Sequence, residues 1–366
     1  MASDPLTSQQ ALQIVSPFFA DEWPATQATD VRVIKLTGGF SNDVNLVHRS
    51  SPSAHEPDRL IVRRYGTPHI VDPNRLSEAE ETLFFYEMSR RRWGPQLYGV
   101  FAGGRVEEYI PSHTMTAAES TDPVIRRDLA ISFARVHSLD LPFKKRKVDL
   151  IFEDMISWMG EMNKEKDKLK ASVLEADHAD SPELADLLYN SDWSRELEWI
   201  QQLFVEHKCQ RSFMLLDTNF LNVLVKEEQE SGCKVMLIDY EVSMYGYRGI
   251  DLGSHFLARM FCWSDPVNKL TGYDYPSLEE RRSFCESYQK ELNNIGKEAT
   301  ATVDHLILES DIGQLFFSCW VIFMIVKYFD SRKEGALFVN ALLFGVKFYY
   351  TRKEELIARY PNQLLK

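Results

Sequence analysis

The chain has 366 residues, 44% hydrophobic and 26% charged, a globular composition with enough length for two lobes. Its 42 basic and 54 acidic residues leave a formal charge of −12, so no global attraction draws it to nucleic-acid phosphates. Five cysteines, at 209, 233, 262, 285 and 319, contain no CxxC pair and meet no His at ligand spacing, which argues against a disulfide framework or a zinc site and for a reducing cytosol.

The N-terminus, Met1 to Pro5, lacks the basic region and apolar run of a secretory signal, and a cytoplasmic protein is expected. Thr7 and Gln10 form a capping-box pattern before Leu12, Val15 and Phe18 at helical spacing, which predicts a first helix to about Phe19. Short β-branched or alternating runs follow at 31–36, 44–48 and 60–64, the first two separated by Gly38-Gly39-Phe40-Ser41. Leu76, Leu83, Phe84 and Met88 keep helical spacing up to Arg90, Arg91 and Arg92, which complement a helix C-terminus. Tyr98–Phe101 and Val106–Ile110 flank Gly103-Gly104 as a hairpin closed by Pro111. Beyond Thr114 the pattern turns helical, near 123–138, 151–171, 194–206, 278–294 and 302–329, with strand-like runs only at 213–226 and 234–238. The most apolar window, Leu315 to Val326, is twelve residues long, short of the roughly 20 that a bilayer crossing needs. It reads as a buried core helix, so no membrane span is expected. The fold class is α+β: a small antiparallel-sheet lobe, 1–110, then a larger helical lobe, 111–366.

The chemistry concentrates where two apolar runs each deliver a carboxylate. Phe213 to Leu216 leads into Asp217, Asn222 lies five residues on, and Val235 to Ile238 leads into Asp239. Phosphoryl transfer needs one carboxylate to orient a hydroxyl and take its proton, plus oxygen ligands for a phosphate-bound magnesium. On that pattern Asp217 is the base, with Asn222 and Asp239 as metal ligands. Acids and amides also end strands as turn residues or caps. The upstream order favours the chemical reading: Gly38-Gly39 between strands to cover phosphates, Arg63 on the third strand as a cation, and Glu81 on the next helix to hold it.

Gly38-Gly39-Phe40-Ser41-Asn42, Val62-Arg63-Arg64-Tyr65-Gly66, Glu81, Gly94-Pro95 with Tyr98-Gly99, Glu107 to Ser112, and Val136-His137-Ser138-Leu139 form a collinear series. It continues through Leu237-Ile238-Asp239-Tyr240-Glu241 and the stretch Tyr245 to Phe256. Together these resemble the choline/ethanolamine kinase family, relatives of the aminoglycoside phosphotransferases with a protein-kinase-like two-lobed fold. The resemblance implies ATP as cofactor, with Gly38, Gly39, Ser41, Asn42, Arg63 and Glu81 at its phosphates and the backbone from Glu108 to Ile110 at adenine. It implies Asp217 as base, Asn222, Asp239 and Glu241 around Mg2+, and Trp263, Trp320 and Phe323 at a small amino-alcohol substrate. It further implies a cytosolic homodimer at the start of phosphatidylcholine or phosphatidylethanolamine synthesis. His137 and His255 are read as structural hydrogen-bonding residues.

Two departures stand out. The family's His-Asn-Asp is here Leu215-Leu216-Asp217, which removes two side chains that position the loop. Val242, Ala258, Ala336 and Val339 stand where the family has Tyr or Glu, thinning the aromatic cage that a quaternary ammonium prefers. The first reading is a choline or ethanolamine kinase. Its competitors are a degenerate kinase serving as a nucleotide-binding or dimerisation module, and a kinase for a less cationic alcohol. A protein kinase is the weakest option, because Asp239 runs into Tyr247 to Asp251 with no room for an activation loop.

Overall fold

The computed structural model describes residues 5–36, 42–51, 55–66, 76–143, 149–174, 181–227, 232–261, 272–297, 301–328 and 331–361. Its elements begin with α1 (Ser8–Val15), α2 (Glu22–Ala25), β1 (Val31–Lys35), β2 (Asp43–Arg49), β3 (Arg59–Arg64), α3 (Glu78–Arg90), β4 (Leu97–Phe101), β5 (Gly104–Glu108) and β6 (Ser112–Thr114). Five helices follow: α4 (Pro123–His137), α5 (Asp149–Met162), α6 (Lys166–Leu174), α7 (Ser181–Asn190) and α8 (Trp193–Glu206). The chain continues with β7 (Arg211–Met214), β8 (Val223–Lys226), β9 (Val235–Leu237), β10 (Met244–Tyr247), α9 (Arg248–Ala258), α10 (Leu278–Asn294), α11 (Val303–Tyr328) and α12 (Ser331–Arg359).

These elements divide into two compact units, Met1–Thr114 with Leu221–Ser243, and Met115–Phe220 with Met244–Lys366. The expected lobes are contiguous, whereas β8 and β9 join the first unit because β8 pairs antiparallel with β6.

In the first unit, an antiparallel sheet runs in the order β1-β2-β3-β5-β4. Strand alternation gives it two unlike faces. Val47, Leu60, Val62 and Val106 pack with Ala11 and Val15 of α1 and Trp23 of α2 into an apolar core. On β3 and β5 the opposite face carries buried charge, Arg63, Arg105 and Glu107. The helix α3 starts at a capping box between Ser77 and Glu80, with Glu78, Glu80 and Glu81 in its first turn.

The second unit is helical around the small β10–β7 pair. At its centre α9 crosses α11 at backbone contact. A Cβ added at Gly313 would lie 1.8 Å from the Gly249 carbonyl oxygen, and one at Gly249 would lie 2.2 Å from the Glu309 carbonyl oxygen. By length and composition Val303–Phe323 could cross a membrane, yet 83% of this stretch is buried inside the chain. It is the core helix expected from the sequence.

Where elements differ from expectation, local chemistry gives the reason. The first helix ends at Val15 and continues only as a 3-10 turn, Ser16–Phe18, since Pro17 has no N–H to donate. The helix expected over 151–171 is interrupted by a 3-10 turn at Asn163–Glu165. The run expected over 213–226 is two strands, β7 and β8, separated by the loop that carries Asp217.

Candidate active site

In the first unit, β3 and β5 bring Arg63 and Arg105 directly opposite one another. Like charges in that register repel, and two carboxylates neutralise them. Glu107 Oε1 accepts from Arg63 Nε at 2.9 Å and from Arg105 Nε at 2.7 Å, while Arg105 Nη1 donates to Glu81 Oε1 at 2.7 Å. Arg105 Nη1 also reaches the Tyr65 hydroxyl at 3.0 Å. Burial alone would raise the Glu107 carboxyl, but the Arg63 and Arg105 guanidiniums beside it hold it below the ordinary carboxylate value. The expectation that Glu81 holds Arg63 is corrected here: the hydrogen bond of the Glu81 carboxylate is to Arg105. The alternation Arg105-Val106-Glu107 marks a charged strand face in the sequence, but only the strand register reveals its partner.

Arg63 Nη1 also lies 3.9 Å from Asp239 Oδ1. Asp239 follows β9 in a left-handed conformation, φ +64°, and its Oδ1 is buried without a hydrogen-bond partner. Tyr240, inserted beside it against Phe84 at 4.4 Å and bonded to the Leu237 carbonyl at 2.7 Å, fixes that turn. The hairpin of β8 and β9 sets Asn222 next to Ile238, whose N–H donates to the Asn222 carbonyl at 3.0 Å. Asn42 Nδ2 donates to Glu241 Oε2 at 3.0 Å, linking a residue expected at phosphate to one expected at metal. Gly38, Gly39 and Ser41 lie outside the described residues. Glu108 commits its N–H to the Gln96 carbonyl at 2.8 Å, and the Ile110 carbonyl accepts from the Ser112 hydroxyl at 2.8 Å. Among the described residues no three His, Cys, Asp or Glu side chains form a metal-binding group. The bare, buried Asp239 oxygen suits a hard cation.

In the second unit Asp217 is exposed at the end of a buried loop. Leu216 before it is left-handed, φ +65°. Leu215 and Leu216 are both buried, and their backbone N–H groups donate to Asp251 at 2.7 and 2.9 Å. Asp251 also bonds His137 Nε2 at 3.1 Å, and His137 Nδ1 meets the Tyr288 hydroxyl at 2.8 Å. A carboxylate beneath the loop therefore places Asp217 through main-chain bonds, which any residue but proline at 215 and 216 can supply. Asn219 Nδ2 holds Asp217 Oδ1 at 2.6 Å.

Trp320 and Phe323 lie 6.0 Å apart on α11, joined by a residue the sequence reading omits. Trp158 of α5 stacks on Phe323 at 4.5 Å and lies 6.4 Å from Trp320. Phe323 is thus buried, while Trp320 stays half-buried. Trp263 lies outside the described residues.

The family model described as Choline/ethanolamine kinase matches residues 33–342. The chain belongs to the choline/ethanolamine kinase family. A human choline/ethanolamine kinase is 30% identical over 292 residues, 77% of this chain and 69% of that protein. The probable choline kinase 3 of Arabidopsis thaliana is 27% identical over 99% of this chain and 97% of its own length. A choline kinase crystal structure from Cryptosporidium parvum superposes with a TM-score of 0.68, 18% sequence identity and 98% of each chain covered. As a member of the choline/ethanolamine kinase family, the chain is a phosphotransferase with a kinase-type fold: an antiparallel sheet unit and a larger helical unit.

Proposed function

We propose that this kinase transfers the γ-phosphoryl group of ATP to the hydroxyl of choline or ethanolamine, giving the phosphoalcohol and ADP. The observation that carries this reading is the family match over 33–342, which spans every carboxylate and cation named above. Asp217 orients the alcohol and accepts its proton as the oxygen bonds to phosphorus and the bridging bond to ADP breaks. Arg63, pinned by Glu107, presents its guanidinium to nucleotide phosphate. Asn222, Asp239 and Glu241 would hold Mg2+, whose charge would offset that of the phosphates when bound. Trp320 offers a ring face to a cationic head group, with the buried Phe323 and Trp158 packed behind it. The free thiols at Cys209, Cys233, Cys285 and Cys319 support a cytoplasmic setting, and a homodimer belongs to the same reading.

The test is ADP release by the purified chain with Mg-ATP and saturating choline or ethanolamine. Asp217→Ala is expected to lower turnover by at least about 100-fold. If neither alcohol is turned over above the Asp217→Ala control, the reading fails.

A further inference from the structure

We infer that Glu107, not Glu81, is the positioning residue that holds Arg63 for nucleotide phosphate, and that Arg105 is the second cation that makes this possible. The inference rests on the proposed role of Arg63 at phosphate. Arg63 makes two polar contacts, Nε to Glu107 at 2.9 Å and Nη1 to Asp239 at 3.9 Å. Glu107 stands on β5, the strand hydrogen-bonded to β3, diagonally across from Arg63. Partner and cation therefore share one rigid sheet, and the orientation of Arg63 is set by ladder register. Glu81 sits on a helix and reaches Arg105 instead.

The electrostatics favour the same assignment. All four side chains are buried, and two cations balance two anions. Removing Glu81 leaves Glu107 between both guanidiniums. Removing Glu107 leaves Arg63 and Arg105 face to face, with Glu81 bonded to only one of them, so Arg63 loses the hydrogen bond that fixes its orientation and keeps only the longer contact to Asp239 at 3.9 Å. Arg105 also packs its guanidinium 4.5 Å from the Phe85 ring, so it cannot give way in place of Arg63.

ADP affinity by calorimetry and steady-state kinetics on the full chain test this, using Glu107→Gln, Glu107→Asp, Glu81→Gln, Arg63→Met and the Arg63→Met/Glu107→Gln double variant. Glu107→Gln is expected to weaken ADP and raise KM for ATP by about 10-fold to 100-fold, with KM for the alcohol unchanged. Glu81→Gln is expected to lower Tm and to raise KM for ATP by a smaller factor than Glu107→Gln does. In the Arg63→Met background, Glu107→Gln is expected to add no further loss of ADP affinity. Equal losses of ADP affinity in Glu81→Gln and Glu107→Gln, or additive losses in the double variant, overturn the inference. Should Glu107→Gln not fold, Glu107→Asp decides: its shorter carboxylate is expected to raise KM for ATP, and wild-type values there overturn the inference. A wild type that binds no ADP overturns the kinase reading as well, whereas a wild type and a Glu107→Gln that bind equally overturn this inference alone.

Discussion

His255 sits among the rings of Phe133, Phe220, Phe256 and Phe284, its Nδ1 without a hydrogen bond, and burial pushes its pKa down to about 3. In the unfolded chain the ring titrates near 6.5. Below that value the unfolded state takes up a proton that the folded state refuses, so this contribution is whole above pH 6.5 and is lost as pH falls toward 3. Its slope is up to about 1.4 kcal/mol per pH unit. Urea unfolding between pH 7 and pH 5 should show that slope in wild type and its loss in His255→Leu, and equal slopes would count against it. Reading His255 and His137 as structural follows from their positions at helix ends. Leu216 and Asp239, two of the described non-glycine residues at positive φ, give no such sign, because leucine disfavours that region and aspartate only tolerates it. Strain of about 1–3 kcal/mol at such positions is supported by surrounding contacts, here Asp251 under Leu216 and the packed Tyr240 beside Asp239.

At the level of elements, the loop before Asp217 and the crossing of α9 with α11 meet in one helix. Asp251 is the anchor for Leu215 and Leu216, and Gly249 on the same helix makes the close approach to Gly313. Leu215→His with Leu216→Asn should leave turnover near wild type, since the main-chain bonds persist. Asp251→Asn turns an amide toward backbone N–H donors and should lower turnover on the order of 100-fold through a displaced Asp217. Gly313→Ala should destabilise by about 1–3 kcal/mol or more, read as a drop in Tm, because backbone rather than a flexible side chain occupies the space. The capping box of α1 and the apolar core helix are legible in the sequence, since caps and periodicity are local signals. Strand register is not local, and so the exchange of partners among Arg63, Arg105, Glu81 and Glu107 is invisible there. Trp158 is missed for the same reason, standing on a helix far in sequence from Phe323.

At the level of the whole molecule, the two-part α+β architecture follows from the change in pattern after Thr114, but the return of Leu221–Ser243 to the first unit does not. That return depends on β8 finding β6 across more than a hundred residues, and both strands are short. A fragment ending at residue 114 keeps all five strands of its main sheet but loses the partner of β6 and the Tyr240 ring against Phe84 and Phe85. Circular dichroism of such a fragment should show no cooperative thermal transition, and a sharp one would mean that the sheet stands alone. The same threading imposes an order on biosynthesis. The first unit cannot close until Ser243 has left the ribosome, and at roughly 5–20 residues per second the stretch after Thr114 takes on the order of ten seconds to make. For that interval a sheet bearing two guanidiniums waits on the nascent chain without the hairpin that completes it.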